Sequence, residues 1–192
     1  VNWVAEQRTD DGRPMPRHDW EAASDVAEPM AAFDDFRFDW LDVPALFAAA
    51  PEVLKYPMVD RDPLPTWRHG NMTLLGDAAH PMYPVGSNGA SQAIIDARVL
   101  ARELSMCGSV SEALDAYEAV RLPATAAVVL ANRQVGPERC MEIVAERAPD
   151  GFDDVESVIP RHELVEIVES YKRTAGFDPA TLNSRPSLSV PR

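Results

Sequence analysis

The chain has 192 residues, 46% hydrophobic and 26% charged, a balance that excludes a disordered tail and leaves ample material for a buried core. Its 31 acidic and 18 basic residues give a net charge of −13, and neither half is basic, which excludes the cationic stripe that nucleic-acid binding needs. No apolar run approaches the roughly 20 residues that span a bilayer, and the opening residues do not resemble a signal peptide, so a cytoplasmic location is expected.

Val1–Ala5 is apolar and β-prone and reads as a strand, followed by a polar loop from Thr9 to Arg17. Asp19–Ala23 predicts a helix interrupted near Pro29, and Val43–Ala50 a second, with Asp42 as its cap and Pro44 in its first turn. Pro57, Pro63 and Pro65 require Tyr56–Trp67 to be extended or at a sheet edge. His69-Gly70-Asn71 supplies a turn and Met72–Leu75 a short buried strand. Beyond it the chain reads as helical. Ala90, Ile94, Ala97, Leu100, Ala101 and Leu104 recur at helical spacing over Ala90–Met106. Ser111–Val120 continues as helix, Pro123 marks a fresh start or a kink before Ala124–Ala131, and Glu138–Arg147 and His162–Lys172 complete four or five helices. The tail after Asn183 is expected to be loose.

Cys107 and Cys140 fit no metal spacing and read as two reduced, buried thiols. Four of the nine glycines, Gly70, Gly76, Gly86 and Gly89, fall within twenty residues, so backbone freedom is concentrated in one place. There the chain runs from a strand to an acidic residue, Asp77, then through a proline-stiffened loop to glycines that open a long helix. A carboxylate at a strand end can accept hydrogen bonds from a polyol. The helix start offers unpaired N–H groups and a positive dipole end to negative charge on a flat ligand. The same pattern also fits a plain loop with Ser87 or Asn88 capping the helix.

Gly76-Asp77-Ala78-Ala79-His80-Pro81, followed by Pro84, Gly86 and Gly89, resembles the second FAD-binding motif of the single-component (class A) flavoprotein aromatic hydroxylases, the group of the p-hydroxybenzoate and salicylate hydroxylases. The run from Tyr56-Pro57-Met58-Val59-Asp60-Arg61-Asp62-Pro63-Leu64-Pro65 through Asp96-Ala97 resembles more closely still the phenazine-type, 5-methylphenazine-1-carboxylate monooxygenase-like branch. The similarity extends through Arg147–Phe152 to Ala175–Asp178.

The resemblance implies an α/β fold, the carboxyl-terminal portion of a Rossmann-like FAD-binding monooxygenase. Residues 1–66 would end the substrate-binding domain, 67–106 form the strand-loop-helix motif, 107–182 the carboxyl-terminal helices and 183–192 a flexible tail. Gly76 and Asp77 would meet the FAD ribityl chain, Pro84 the isoalloxazine ring, and Tyr83 and Pro84 the substrate. Gly86, Asn88 and Gly89 would shape the loop, while Ala90 and Ser91 turn N–H groups to the flavin N1/O2 edge. The implied reductant is NADPH or NADH, and the implied chemistry is hydroxylation of an aromatic or heteroaromatic substrate by O2 through a flavin C4a-hydroperoxide. No catalytic side chain and no metal ligand is assigned.

The family's opening Gly-x-Gly-x-x-Gly fingerprint has no match in the chain. An absent amino-terminal FAD-binding segment is therefore expected as a partner, and the chain alone is expected to be inactive and to bind FAD weakly or not at all. Homodimer assembly is left open. The competing function is a non-catalytic helical binding module on a degenerate flavoprotein scaffold.

Other residues have plainer readings. His80, though spaced from Asp77 like a metal pair, reads as structural, as does Asp96; Ser87 is in no Gly-x-Ser-x-Gly elbow. Trp3, Trp20, Trp40 and Trp67 read as packing residues before cavity-lining ones, and Asp34, Asp35, Asp39 and Asp42 as a solvated face.

Overall fold

The structure, a computed structural model, describes residues 2–7, 22–56 and 58–190. The expected loop at 9–17, Trp20 and most of the helix expected at 19–23 lie outside these residues, as does Pro57. The chain divides into two compact units, Val1–Met58 and Val59–Arg192.

In the first unit α1 spans Ala27–Phe33, β1 Arg37–Phe38, β2 Leu41–Asp42 and α2 Val43–Ala48. Residues 2–7 are irregular and not a strand, and Trp3 stacks on Phe47 at 4.3 Å instead. Pro29 lies within the first turn of α1 and does not interrupt it, because that turn needs no proline N–H. Asp42 caps α2 as expected, accepting from the Ala45 N–H, with Pro44 in the first turn. The antiparallel pair β1–β2 carries an aromatic ladder: Phe36 meets Phe38 edge-on and Phe38 stacks on Trp40. Arg37 pairs with Asp34 and Asp42 across the solvated acidic face.

The second unit contains α3 (Gly89–Met106), α4 (Val110–Asn132), α5 (Arg139–Arg147), α6 (Val155–Val158), α7 (Arg161–Ala175) and α8 (Pro179–Ser184). A small two-stranded sheet with two short helices in one unit, and helices in the other, give the mixed fold the sequence implies, with a mainly helical second part. Cys107–Ser109 joins α3 to α4, and Ser109 caps α4 by accepting from the Glu112 N–H. The two helices pack together around Trp67, Ala79, Val99 and Tyr117, with Leu64, Leu74, Ile95, Leu100 and Leu122 against this cluster. Leu188 joins them, so the tail expected to be loose places an apolar side chain on the core. Both cysteines are free and half-buried.

Two expectations are corrected by the structure. Pro123 lies inside one continuous helix, α4, so it marks no fresh start. Residues 73–75 are not a strand: His69 bridges Met72 across the predicted Gly70 turn, but no further ladder follows among the described residues, and Met72 and Leu75 are exposed. One more finding concerns α3. It forms where its periodicity predicts, yet it buries Asn88 at its start, then Gln92, Asp96 and Val99, while Ala90, Ile94, Ala97, Ala101 and Leu104 are exposed. Ile94 is 70% exposed.

Candidate functional site

The extended segment before the motif is tied down at three places. Glu118 on α4 accepts from the backbone N–H groups of Trp67 (2.6 Å) and Arg68 (2.9 Å) and from the Thr66 hydroxyl. Tyr117 donates its hydroxyl to the Leu74 carbonyl at 3.1 Å. Arg133 pairs with Asp60 and Asp62, which holds the upstream Asp60-Arg61-Asp62 run to the end of α4.

Gly76 then turns the chain with φ +58°, opening a 3-10 turn, Gly76–Ala78. Its N–H donates to Asp96 Oδ2 at 2.9 Å, and the same oxygen lies 2.6 Å from His80 Nε2. Asp96 Oδ1 accepts from Arg121 Nε at 2.7 Å, and Arg121 also donates to Gln92 Oε1 at 2.6 Å. Asp96 is fully buried. Burial alone would raise its pKa, but the hydrogen bonds from His80 and the Gly76 N–H, with Arg121 beside it, hold the carboxyl below its ordinary value. The inward polar face of α3 is thus a satisfied network, not a packing fault. Within it His80 is structural, as its sequence context indicates, although its Nδ1 has no partner among the described residues.

Asp77, between the two anchored ends of this turn, is exposed. A Cβ added to Gly89 would lie 3.9 Å from Asp77 Oδ1, so the carboxylate stands beside the first residue of α3. Ala90 and Pro84 are exposed, and Tyr83 and Ser91 are half-buried. The structure therefore gathers Asp77, Gly89, Ala90 and Ser91 at one helix start.

Asn88 and Gly86 face the other way. Asn88 does not cap α3 with its side chain; it is buried and donates to the Tyr171 hydroxyl at 2.8 Å. Gly86 has φ +66°, and its N–H donates to Glu138 at 3.2 Å. Both are held from behind the loop, Asn88 buried and Gly86 half-buried. Ser87 has φ +52° and caps nothing. With Asn88 turned inward, the first N–H groups of α3 have no side-chain cap, and that helix end keeps its partial positive charge.

Sequence reasoning missed Arg121, Gln92, Asn132, Glu138 and Tyr171. None belongs to a local motif, and only their positions on inward helix faces could have marked them. Trp67 is buried against Tyr117 and His80, and Trp40 is exposed. Among the described residues no group of three or more His, Cys, Asp or Glu could hold a metal ion, and no helix is long and apolar enough to cross a membrane.

Residues 52–132, which contain this whole arrangement up to the end of α4, match the FAD binding domain family. The chain is 52% identical over 134 residues to phenazine 1,6-dicarboxylic acid hydroxylase PhzS of Lysobacter antibioticus, covering 69% of this chain and 33% of that protein. It is 44% identical over 108 residues to 6-hydroxynicotinate 3-monooxygenase of Bordetella bronchiseptica (56% of this chain, 26% of that one). With 3-amino-4-hydroxybenzoate 2-monooxygenase PtnB3 of Streptomyces platensis it shares 37% over 174 residues, 86% of this chain and 39% of the relative. The motif segment is thus that of an FAD-binding domain. The chain is similar to parts of FAD-dependent aromatic hydroxylases, a phenazine hydroxylase among them. It spans between about a quarter and two fifths of the length of these relatives.

Proposed function

We propose that the chain supplies the second flavin-binding element of an FAD-dependent monooxygenase that hydroxylates an aromatic or heteroaromatic ring. The observation that carries this reading is the exposed Asp77 carboxylate beside the uncapped start of α3, on a turn whose two ends are fixed by one buried carboxylate. These residues fit the cofactor. Asp77 accepts hydrogen bonds from the ribityl hydroxyls, Gly76 lets the backbone turn tightly behind it, and the N–H groups of Ala90 and Ser91 meet the N1/O2 edge of the ring. Reduced flavin carries negative charge there, which the α3 dipole and these donors stabilise. Pro84, exposed and rigid, and Tyr83 next to it line the ring and the substrate.

Bound FAD, reduced by NADPH or NADH, supplies the oxygen activation; the residues of this chain orient the ring and stabilise its charge. The aromatic substrate, O2 and the nicotinamide are partners of the longer assembly.

The exposed face of α3 belongs to this reading. Ala90, Ile94, Ala97, Ala101 and Leu104 form one apolar stripe on the exposed side of α3. Because the relatives are some two and a half to four times as long as the matched share, the stripe is assigned to the amino-terminal FAD-binding segment that holds the pyrophosphate. The test is FAD titration, followed by flavin fluorescence, of the chain alone and of the chain joined to the amino-terminal part of the Lysobacter relative. Weak binding alone and stoichiometric binding when joined are expected. Absence of binding in the joined polypeptide contradicts the reading.

A further inference from the structure

The loop from Tyr83 to Asn88 is held from behind by residues far away in sequence. Tyr171, on α7, lies with its ring against two glycines: a Cβ on Gly86 would be 2.4 Å from its Cε1, and one on Gly136 would be 3.0 Å from its Cε2. The hydroxyl accepts from Asn88 Nδ2 at 2.8 Å and has two acceptors for its own proton, Asn132 Oδ1 at 2.7 Å and the Val85 carbonyl at 3.0 Å. Asn132, at the end of α4, in turn donates to the Tyr83 carbonyl at 2.9 Å. Two side chains therefore fix the loop at Tyr83, Val85 and Asn88.

The loop needs such a hold. Ser87 adopts φ +52°, a left-handed conformation that a non-glycine residue keeps only when its surroundings impose it. Asn, a favoured helix cap, is drawn away from capping α3 by the phenol. The Tyr171 hydroxyl thus sets two properties of the loop at once: the course of Val85–Asn88, and the freedom of the α3 N–H groups from a competing side chain. Burial holds the phenol in its protonated form, so it remains a donor through the neutral range.

We propose that Tyr171, acting with Asn132, is a positioning residue for the flavin-facing loop, so that the carboxyl-terminal helix α7 sets how the start of α3 meets the isoalloxazine edge. This rests on the flavin reading above. It needs no contact between Tyr171 and the cofactor.

The test uses Tyr171→Phe, which keeps the ring between the two glycines, with Asn132→Ala as the second variant. Amide hydrogen exchange is measured on the chain itself, and the visible flavin spectrum on the chain joined to the amino-terminal part of the Lysobacter relative. Both variants are expected to speed exchange over residues 85–89 by roughly tenfold, the loss of one or two buried hydrogen bonds, with residues 113–129 unchanged. The joined Tyr171→Phe polypeptide is expected to bind FAD with a shifted flavin absorbance band. Unchanged exchange at 85–89, or an equal rise everywhere, overturns the proposal whatever the flavin does. Faster exchange with an unaltered spectrum shows a latch that does not serve the cofactor and overturns it too. If the unsubstituted joined polypeptide binds no FAD, the flavin reading fails first and the positioning role falls with it.

Discussion

Asp96 and His80 meet through a 2.6 Å hydrogen bond between two side chains that are almost wholly removed from solvent. The oxygen that meets His80 also takes the Gly76 N–H, so one atom closes both ends of the turn that presents Asp77. The other oxygen neutralises Arg121. Replacing Asp96 by Asn leaves the guanidinium buried without its counter-charge, and the stability loss is expected to be about 3–5 kcal/mol, the range for breaking one partner from a buried ion pair. Urea unfolding followed by circular dichroism measures it. A loss below about 1 kcal/mol would mean the network does not hold the turn.

The same carboxylate gives the acid limb of stability a definite sign. Its folded pKa lies below the ordinary value, so ionised Asp96 stabilises the fold at every pH above the unfolded-state value of about 3.9. That contribution is lost as pH falls from there through the lowered folded value. Melting temperature plotted against pH should therefore drop steeply below about pH 4 in the unsubstituted chain and less steeply in Asp96→Asn. Parallel curves would show that Asp96 does not carry the effect.

Gly86 and Gly70 share a positive φ but differ in surroundings. At Gly70, φ +61°, an added Cβ meets nothing within 4 Å; at Gly86 it runs into the Tyr171 ring. Gly70→Ala should cost only the left-handed penalty of about 1–2 kcal/mol, whereas Gly86→Ala adds about 1–3 kcal/mol of overpacking. Comparing the two unfolding midpoints isolates the ring contact. Equal losses would place Tyr171 elsewhere.

The motif, the turn at Gly70, the cap of α2 and the extents of α3, α5 and α7 were legible because each is encoded locally, by spacing, capping or glycine. The direction in which α3 faces was not. Periodicity finds an apolar stripe through Ala90, Ile94 and Ala97 but not what covers it, and here the buried side mixes Val99 with Gln92 and Asp96, which Arg121 satisfies. Pro123 starts no new helix because the packing of α4 outweighs one lost backbone hydrogen bond. Tyr171 was invisible, since its role depends on Gly86, Asn88 and Asn132 converging from other segments.

The outward stripe of α3 yields a prediction that separates folding from docking. Ile94→Lys places a charge where the side chain is 70% exposed, so the stability of the chain itself should change by no more than about 0.5 kcal/mol. Flavin content of the joined polypeptide should nevertheless fall several-fold. Full flavin content would show that the stripe is not the docking face.

The most direct measurement is the ratio of FAD to protein retained after gel filtration by the joined polypeptide and by its Asp77→Ala variant. Asp77 is exposed and no buried network depends on its side chain, so the variant should fold with an unchanged melting temperature. The account predicts near-stoichiometric FAD in the first and loss of most of it in the second. Equal flavin content in both would contradict it.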